Sequence, residues 1–256
     1  MVTVSAFAGM AGPNARPIPS SPSLPDVGRH LITGAGSGIG AAVARTLAEQ
    51  GDDLILLARS AERGEELMGE YPGAEVLVLD LADPSLEGML GLVDPPGELD
   101  SLVHVAGVVL LSPVAELTAA TLNETLQVNL VAPALLTRWA LPGLRAAGGT
   151  VVYVSSTAAR TAGPQWSAYA ASKAGLGAFA DVLRAEEAKH GVRVCTVMPS
   201  RTATPMQQRV RAHEGGDYDP DRYLDPASVA DAIVTVLDLP VDASITEIVL
   251  RPTGRR

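Results

Sequence analysis

The sequence predicts a doubly wound α/β fold: a Rossmann-like parallel seven-stranded sheet with helices on both faces, in a single domain. Three observations carry this. Strand and helix signals alternate along most of the chain. Several strand segments are continuously apolar, as strands covered on both faces are. A glycine cluster follows the first strand, where such folds hold a phosphate.

Each element has its own signal. His30-Leu31-Ile32-Thr33 is a short apolar strand running into the glycine cluster. Ala41–Glu49 is rich in Ala and Leu and reads as a helix closed by Gly51. Leu54-Ile55-Leu56-Leu57-Ala58 is the second strand, Ala61–Gly69 a helix and Glu75–Leu79 the third strand. A short helix is expected over Asp83–Leu92 and a fourth strand over Leu102–Val105. Pro113–Ala147 reads as mostly helical, with interruptions expected near Pro133 and Pro142. Thr150–Ser155 is the fifth strand, Ser167–His190 a long helix ended by Gly191, and Val192–Val197 the sixth strand. Ala227–Leu237 is helical and Ile245–Leu250 forms a seventh strand.

Two segments fall outside the alternation. Residues 1–27 are rich in Pro, Ser and Gly and are expected to be a flexible tail, leaving 28–256 as the domain. They lack the charged start and apolar centre of a secretory signal. The polar stretch 200–224 follows the carboxyl end of a strand, the edge where these sheets bind ligands, and is expected to be a substrate lid.

Of the 256 residues 47% are hydrophobic, enough for one sizeable core. The net charge of −10 gives no electrostatic footprint for nucleic acid or for an anionic membrane surface. No apolar run approaches the ~20 residues of a membrane span. Cys195 is the only cysteine, so neither an intrachain disulfide nor a paired-cysteine metal site can form, and no metal is expected. A cytoplasmic location fits this balance.

Thr33-Gly34-Ala35-Gly36-Ser37-Gly38-Ile39-Gly40 joins the first strand to the first helix. Glycine permits positive φ and lets a ligand approach the backbone. The helix start that follows offers free N–H groups and partial positive charge to a pyrophosphate. A tight turn alone would explain an isolated glycine cluster; its place in the first βαβ unit favours a dinucleotide. Far downstream, Tyr169 and Lys173 lie one helical turn apart and share a face. A nearby ammonium should favour the phenolate and lower the phenol's pKa, suiting it to proton transfer.

Together, Thr-Gly-x-x-x-Gly-x-Gly at the first turn and Tyr-x-x-x-Lys downstream resemble the short-chain dehydrogenase/reductase family over about residues 28–252. The resemblance implies reversible NADP(H)-dependent hydride transfer between a small alcohol and its ketone or aldehyde. Tyr169 would donate the proton, supported by Lys173, by Ser156 at the substrate oxygen and by Asn129, which in the family bends its helix and holds a water. Cofactor contacts would come from Thr33, Gly34, Gly36, Ser37, Gly38, Ile39 and Gly40 in the turn and from Asp80 and Leu81 after the third strand. Ala106 and Gly107 after the fourth strand, Tyr169 and Lys173, and Pro199, Thr202 and Thr204 after the sixth would complete them.

Ala58 stands where an acid would hold the ribose 2′-hydroxyl, and Arg59 follows it. This favours NADP(H) over NAD(H). Relatives often add a second basic residue in the glycine turn, but that place is Ser37. Two further departures are Val105 in place of a sheet-bracing Asn and Ser200 in place of Gly after Pro199. His104 at a strand end reads as structural. Arg160, Arg201 and Arg209 could each meet a substrate carboxylate but read as solvent-facing.

By resemblance the partners are a small carbonyl or alcohol substrate and further copies of the chain, as a homodimer or homotetramer through 113–147 and 167–190. A protein that binds NADP(H) as a sensor or scaffold without turnover is the alternative, and such relatives usually lack the tyrosine. Epimerases and dehydratases of the extended relatives generally have longer chains.

Overall fold

The computed structural model describes residues 27–253; the expected N-terminal tail thus lies almost wholly outside the described residues. The strands are β1 (Arg29–Thr33), β2 (Asp53–Ala58), β3 (Glu75–Val78), β4 (Ser101–His104), β5 (Thr150–Val154), β6 (Arg193–Pro199) and β7 (Glu247–Leu250). They pair in the order β3-β2-β1-β4-β5-β6-β7, and every pairing is parallel. The order reverses between β1 and β4, so a crevice opens outside their carboxyl ends.

Strand character follows from burial on both faces. In β5 every residue is buried, and in β2 every residue after Asp53 is. The helices are α1 (Gly38–Gln50), α2 (Ala61–Glu70), α3 (Leu86–Leu90), α4 (Ala119–Leu126), α5 (Ala132–Ala147), α6 (Ser167–Glu187), α7 (Pro205–His213) and α8 (Pro226–Leu237). One core packs Val43, Leu47, Ile233 and Val236 of α1 and α8 against Ile32, Leu56, Val152 and Val197. On the opposite face Ala140, Leu144, Leu176 and Leu183 of α5 and α6 pack against Leu31, Leu102, Val151 and Val194. Gly51 closes α1 at φ +89, a conformation glycine adopts without strain.

Of the two expected interruptions, the one near Pro133 is present, as a π-helical segment over Gln127–Val131 that runs directly into α5 two residues before the proline. The one near Pro142 is corrected: Pro142 lies inside α5 without ending it. The 200–224 stretch contains α7 and is closed at its base by Thr202 bridged to Leu224. Among the described residues no helix is long and apolar enough to cross a membrane.

Candidate active site

A cleft of about 900 Å³ runs along the carboxyl ends of the strands. Its floor begins at the glycine turn. Gly34 has φ +77, and a Cβ there would stand 2.8 Å from the backbone N of Ala106. Gly38 has φ +55, and a Cβ would meet the Thr204 methyl at 2.8 Å. Gly40 lies directly under Gly34, whose carbonyl a side chain would strike. The turn is therefore packed to glycine size from three directions. Ser37 caps α1 in extended conformation without using its hydroxyl, and no acidic side chain stands in the first turn of α1. An exposed helix start of this kind is a cradle for a pyrophosphate.

Thr33 lies behind the turn. Its hydroxyl oxygen accepts the N–H groups of Val105 and Ala106, both at 3.1 Å, which fixes the chain after β4. That bracing does not need the Asn that Val105 replaces. His104 adds to it from inside the sheet: its Nε2 lies 2.9 Å from the Thr137 hydroxyl, which lies 2.7 Å from the Tyr153 hydroxyl. The His104 ring stacks on Tyr153 at 4.9 Å. Burial holds His104 down at about 3, so it stays neutral.

At the far end of the cleft are Tyr169 and Lys173, both on α6 and both buried. Lys173 donates from Nζ to the Val154 carbonyl at 2.9 Å, and Nζ sits 5.9 Å from the Tyr169 ring centroid. Burial lowers Lys173 to about 8. Burial also raises the Tyr169 phenol, opposed by hydrogen bonding with Ser156. The expectation that the ammonium would lower this phenol is thus corrected: desolvation dominates, and it is the Ser156 hydrogen bond that opposes it. The phenol stays protonated, as a donor must.

Ser156 follows β5, and its Oγ accepts the N–H of Ala158 at 3.1 Å. A hydroxyl that accepts still has its proton to give. Ser155 turns the other way and donates to the Lys173 carbonyl at 3.0 Å, pinning α6 to the end of β5. Asn129 sits in the π segment, fully buried. Its amide donates to the Val108 carbonyl and accepts from the Val108 N–H, both at 2.9 Å, and also donates to Ser172 Oγ at 3.0 Å. Ser172 in turn donates to the Tyr169 carbonyl at 2.7 Å. Gly107 leaves room here: a Cβ would come within 3.1 Å of Asn129 Oδ1 and 3.5 Å of Lys173 Nζ.

The other expected residues fall on the same walls. Gly36, Ile39, Arg59, Asp80, Leu81, Ala106, Pro199, Thr202 and Thr204 all line the cleft. Two contributions, Arg63 and Gln207, are not readable from motifs. Arg63 of α2 folds back over the turn, donating to the Gly36 carbonyl at 2.6 Å and pairing with Glu66. No local pattern marks it, because Arg59 lies before α2 and outside any helical spacing with Arg63. Gln207 is 6% exposed and lines the cleft, and its Nε2 has no partner among the described residues. A buried amide donor without a protein partner is open to water or to a bound polar group. Trp166 packs edge-on to Tyr169 at 5.5 Å, and Arg201 lies 5.6 Å from the Trp166 ring.

The residues present therefore fit a dinucleotide: a glycine-sized cradle, a helix start, two arginines at one end and a proton-donating pair at the other. Among the described residues no group of three or more His, Cys, Asp or Glu is placed to hold a metal.

Comparison with known proteins agrees with this geometry. Residues 29–215 match the family model described as short chain dehydrogenase. An uncharacterized oxidoreductase of Staphylococcus epidermidis is 29% identical over 87% of this chain and 96% of its own. L-xylulose reductase of Bos taurus is 35% identical over 70% of this chain and 74% of its own. The alcohol dehydrogenase of Thermococcus sibiricus, solved with 5-hydroxy-NADP, superposes with a TM-score of 0.76 at 28% identity, covering 90% of this chain and 99% of that one. The chain belongs to the short-chain dehydrogenase family.

Proposed function

We propose that the protein catalyses reversible NADP(H)-dependent reduction of a small ketone or aldehyde to its alcohol. The observation that carries this is the pairing of Tyr169 and Lys173 at one end of a cleft whose other end is the glycine turn. NADPH bound along the cleft would supply the hydride for the new C–H bond and would be oxidised to NADP⁺. Tyr169 gives its phenolic proton to the carbonyl oxygen, so C=O becomes CH–OH. Ser156 donates a hydrogen bond to the same oxygen as negative charge grows on it. Lys173 stabilises the phenolate left behind. Asn129 and Ser172 act through backbone: they hold the loop at Val108 and the first turn of α6 in place.

At the turn, Gly34, Gly36, Ser37, Gly38, Ile39 and Gly40 shape the pyrophosphate seat, with Thr33 behind them. Asp80 and Leu81 flank the adenine, while Ala106, Gly107, Pro199, Thr202, Thr204 and Gln207 border the nicotinamide half. Preference for NADP(H) is supported by the Thermococcus enzyme's bound 5-hydroxy-NADP. It is also supported by the two guanidiniums, Arg59 and Arg63, at the adenosine end. We further propose a cytoplasmic homodimer or homotetramer joined through α4–α5 and α6, on which Val131 and Val182 are exposed apolar side chains.

The test is Tyr169→Phe with a carbonyl panel followed by NADPH consumption. Turnover should fall about 10²–10⁴-fold, the usual contribution of a general acid, while NADPH binding by fluorescence persists. Turnover surviving within a few-fold in the folded variant would refute the mechanism.

A further inference from the structure

We infer that a recess adjoining the cleft, walled by Arg201, Arg211 and Arg222, receives an anionic oxygen group, a carboxylate or a phosphate, at the far end of the substrate. This rests on the carbonyl-reduction reading of the cleft and names the class of substrate. The recess encloses about 390 Å³, within the size range of small-molecule sites. Ser200 and Arg201 line both the recess and the cleft, so the two adjoin there. The recess also reaches Thr157, the residue after Ser156. From the reacting end the way is marked by side chains: Trp166 packs on Tyr169 at 5.5 Å, and the Arg201 guanidinium lies 5.6 Å from the indole. Tyr169 lines the cleft and not the recess, whereas Arg211 and Arg222 line the recess and not the cleft. The carbonyl and the anion therefore sit several bonds apart in one molecule.

Charge selects the ligand. Glu214 is the only carboxylate bonded to these arginines among the described residues. It accepts from both terminal nitrogens of Arg201, at 2.8 and 2.5 Å, and from one of Arg211 at 2.7 Å. One carboxylate thus serves two guanidiniums, and Arg222 has no ion pair among the described residues. Three positive charges meet one negative, and a guanidinium keeps its charge at any working pH. Asp217, Asp219, Asp221 and Asp225 are near in sequence, but none lines the recess. Asp219 and Asp225 turn instead to the N–H groups of Asp221 and Ala227. Glu214 also fixes the orientation of Arg201 and Arg211, so less ordering is left to be done on binding. All three arginines come from the 200–224 stretch, so the lid itself carries the receptor. Arg209 is the rival: it lines the cleft and has no ion pair among the described residues, but it is solvent-exposed.

The experiment follows NADPH consumption with anions and their uncharged counterparts: levulinate with methyl levulinate, dihydroxyacetone phosphate with dihydroxyacetone, and pyruvate with methyl pyruvate. Each turnover takes one hydride from NADPH and one proton. The parent should show kcat/KM at least about tenfold higher for levulinate than for its ester, or for dihydroxyacetone phosphate than for dihydroxyacetone, the scale of a hydrogen bond between charged groups. Which pair responds tells carboxylate from phosphate. Pyruvate should show no such preference, because its carboxylate adjoins the carbonyl and cannot reach past Trp166. Arg222→Met should cut the anion-to-neutral ratio at least about threefold, the scale of an exposed ion pair. Arg211→Met combined with Arg222→Met should abolish the preference, since Glu214 then cancels Arg201. Circular dichroism checks the fold of each variant.

Turnover of the neutral carbonyls with no preference for either longer anion would overturn the inference and leave the reaction standing. A preference unchanged in the double variant would also overturn it, and its loss in Arg209→Met would then place the receptor in the cleft. A preference for pyruvate as large as that for levulinate would overturn it too, by putting the receptor beside Tyr169. No NADPH oxidation with any of these compounds or with the wider carbonyl panel would sink the carbonyl-reduction reading instead.

Discussion

Lys173 is a buried cation whose only hydrogen bond among the described residues is to a neutral carbonyl, and its position carries a measurable thermodynamic cost. Burial lowers it from 10.5 to about 8. Between those two values the unfolded chain binds the proton and the folded chain does not. Stability therefore rises with pH across this window. The cost of keeping Lys173 charged in the fold is fully present below about pH 8 and gone above about 10.5. At about 1.4 kcal/mol per pH unit, the window is worth roughly 3 kcal/mol. Lys173→Met has no such titration. Urea unfolding of both proteins at pH 7.5, 9 and 10.5 isolates it, because every other group cancels in the difference. The parent should gain about 3 kcal/mol on the variant across the series. The absolute offset also contains the Val154 carbonyl left without its donor, about 1–3 kcal/mol, so the slope is the test. A difference constant with pH would show that Lys173 is not desolvated as described. The variant should also lose carbonyl reduction, so one substitution separates stability from catalysis.

His104 works in the opposite pH range. Held down at about 3, it stays neutral in the fold while the unfolded chain protonates below about 6.5. Between pH 6.5 and 5 it should cost about 2 kcal/mol, and His104→Asn should flatten that part of the acid-unfolding profile. Gly34→Ala forces a side chain into φ +77 and against Ala106. It should lower stability by more than about 1 kcal/mol in thermal unfolding and raise the KM for NADPH. Asn129→Leu strands both polar groups of Val108. A loss of about 2–6 kcal/mol is expected by denaturant titration, given about 1–3 for each of the two unpaired groups. Arg63→Met should reduce the NADPH-to-NADH ratio of kcat/KM about tenfold, in line with 1.5–3 kcal/mol for a bond to a charged group. An unchanged ratio would leave Arg59 as the only discriminating cation.

The strands were legible because they are covered on both faces, and Leu54–Ala58 could hardly be anything else. The glycine turn and the Tyr169–Lys173 spacing were legible because each is local. What escaped was made by distant parts of the chain. Arg63 reaches back 27 residues to Gly36, and Arg201 meets Glu214 only because α7 lies between them. No periodicity announces such contacts. The two prolines of α5 differ for a physical reason: a proline breaks a helix by the hydrogen bond it lacks. Ahead of Pro133 the helix widens into the π segment, while at Pro142 packing of Ala140 and Leu144 outweighs the loss. The phenol's shift was misjudged because burial is invisible in a motif.

The π segment at Gln127–Val131 has a consequence for how this gene can change. A π turn holds one residue more than the helix around it, which is what swings Asn129 inward. Deleting one codon here would restore a regular helix and keep the flanking turns in phase, because the wide turn alone absorbs the extra residue. Leu136, Ala140 and Leu144 would keep their places in the core. The loss would be local, in the grip of Asn129 on both polar groups of Val108. A reading-frame-preserving deletion should thus spare the fold and damage the site.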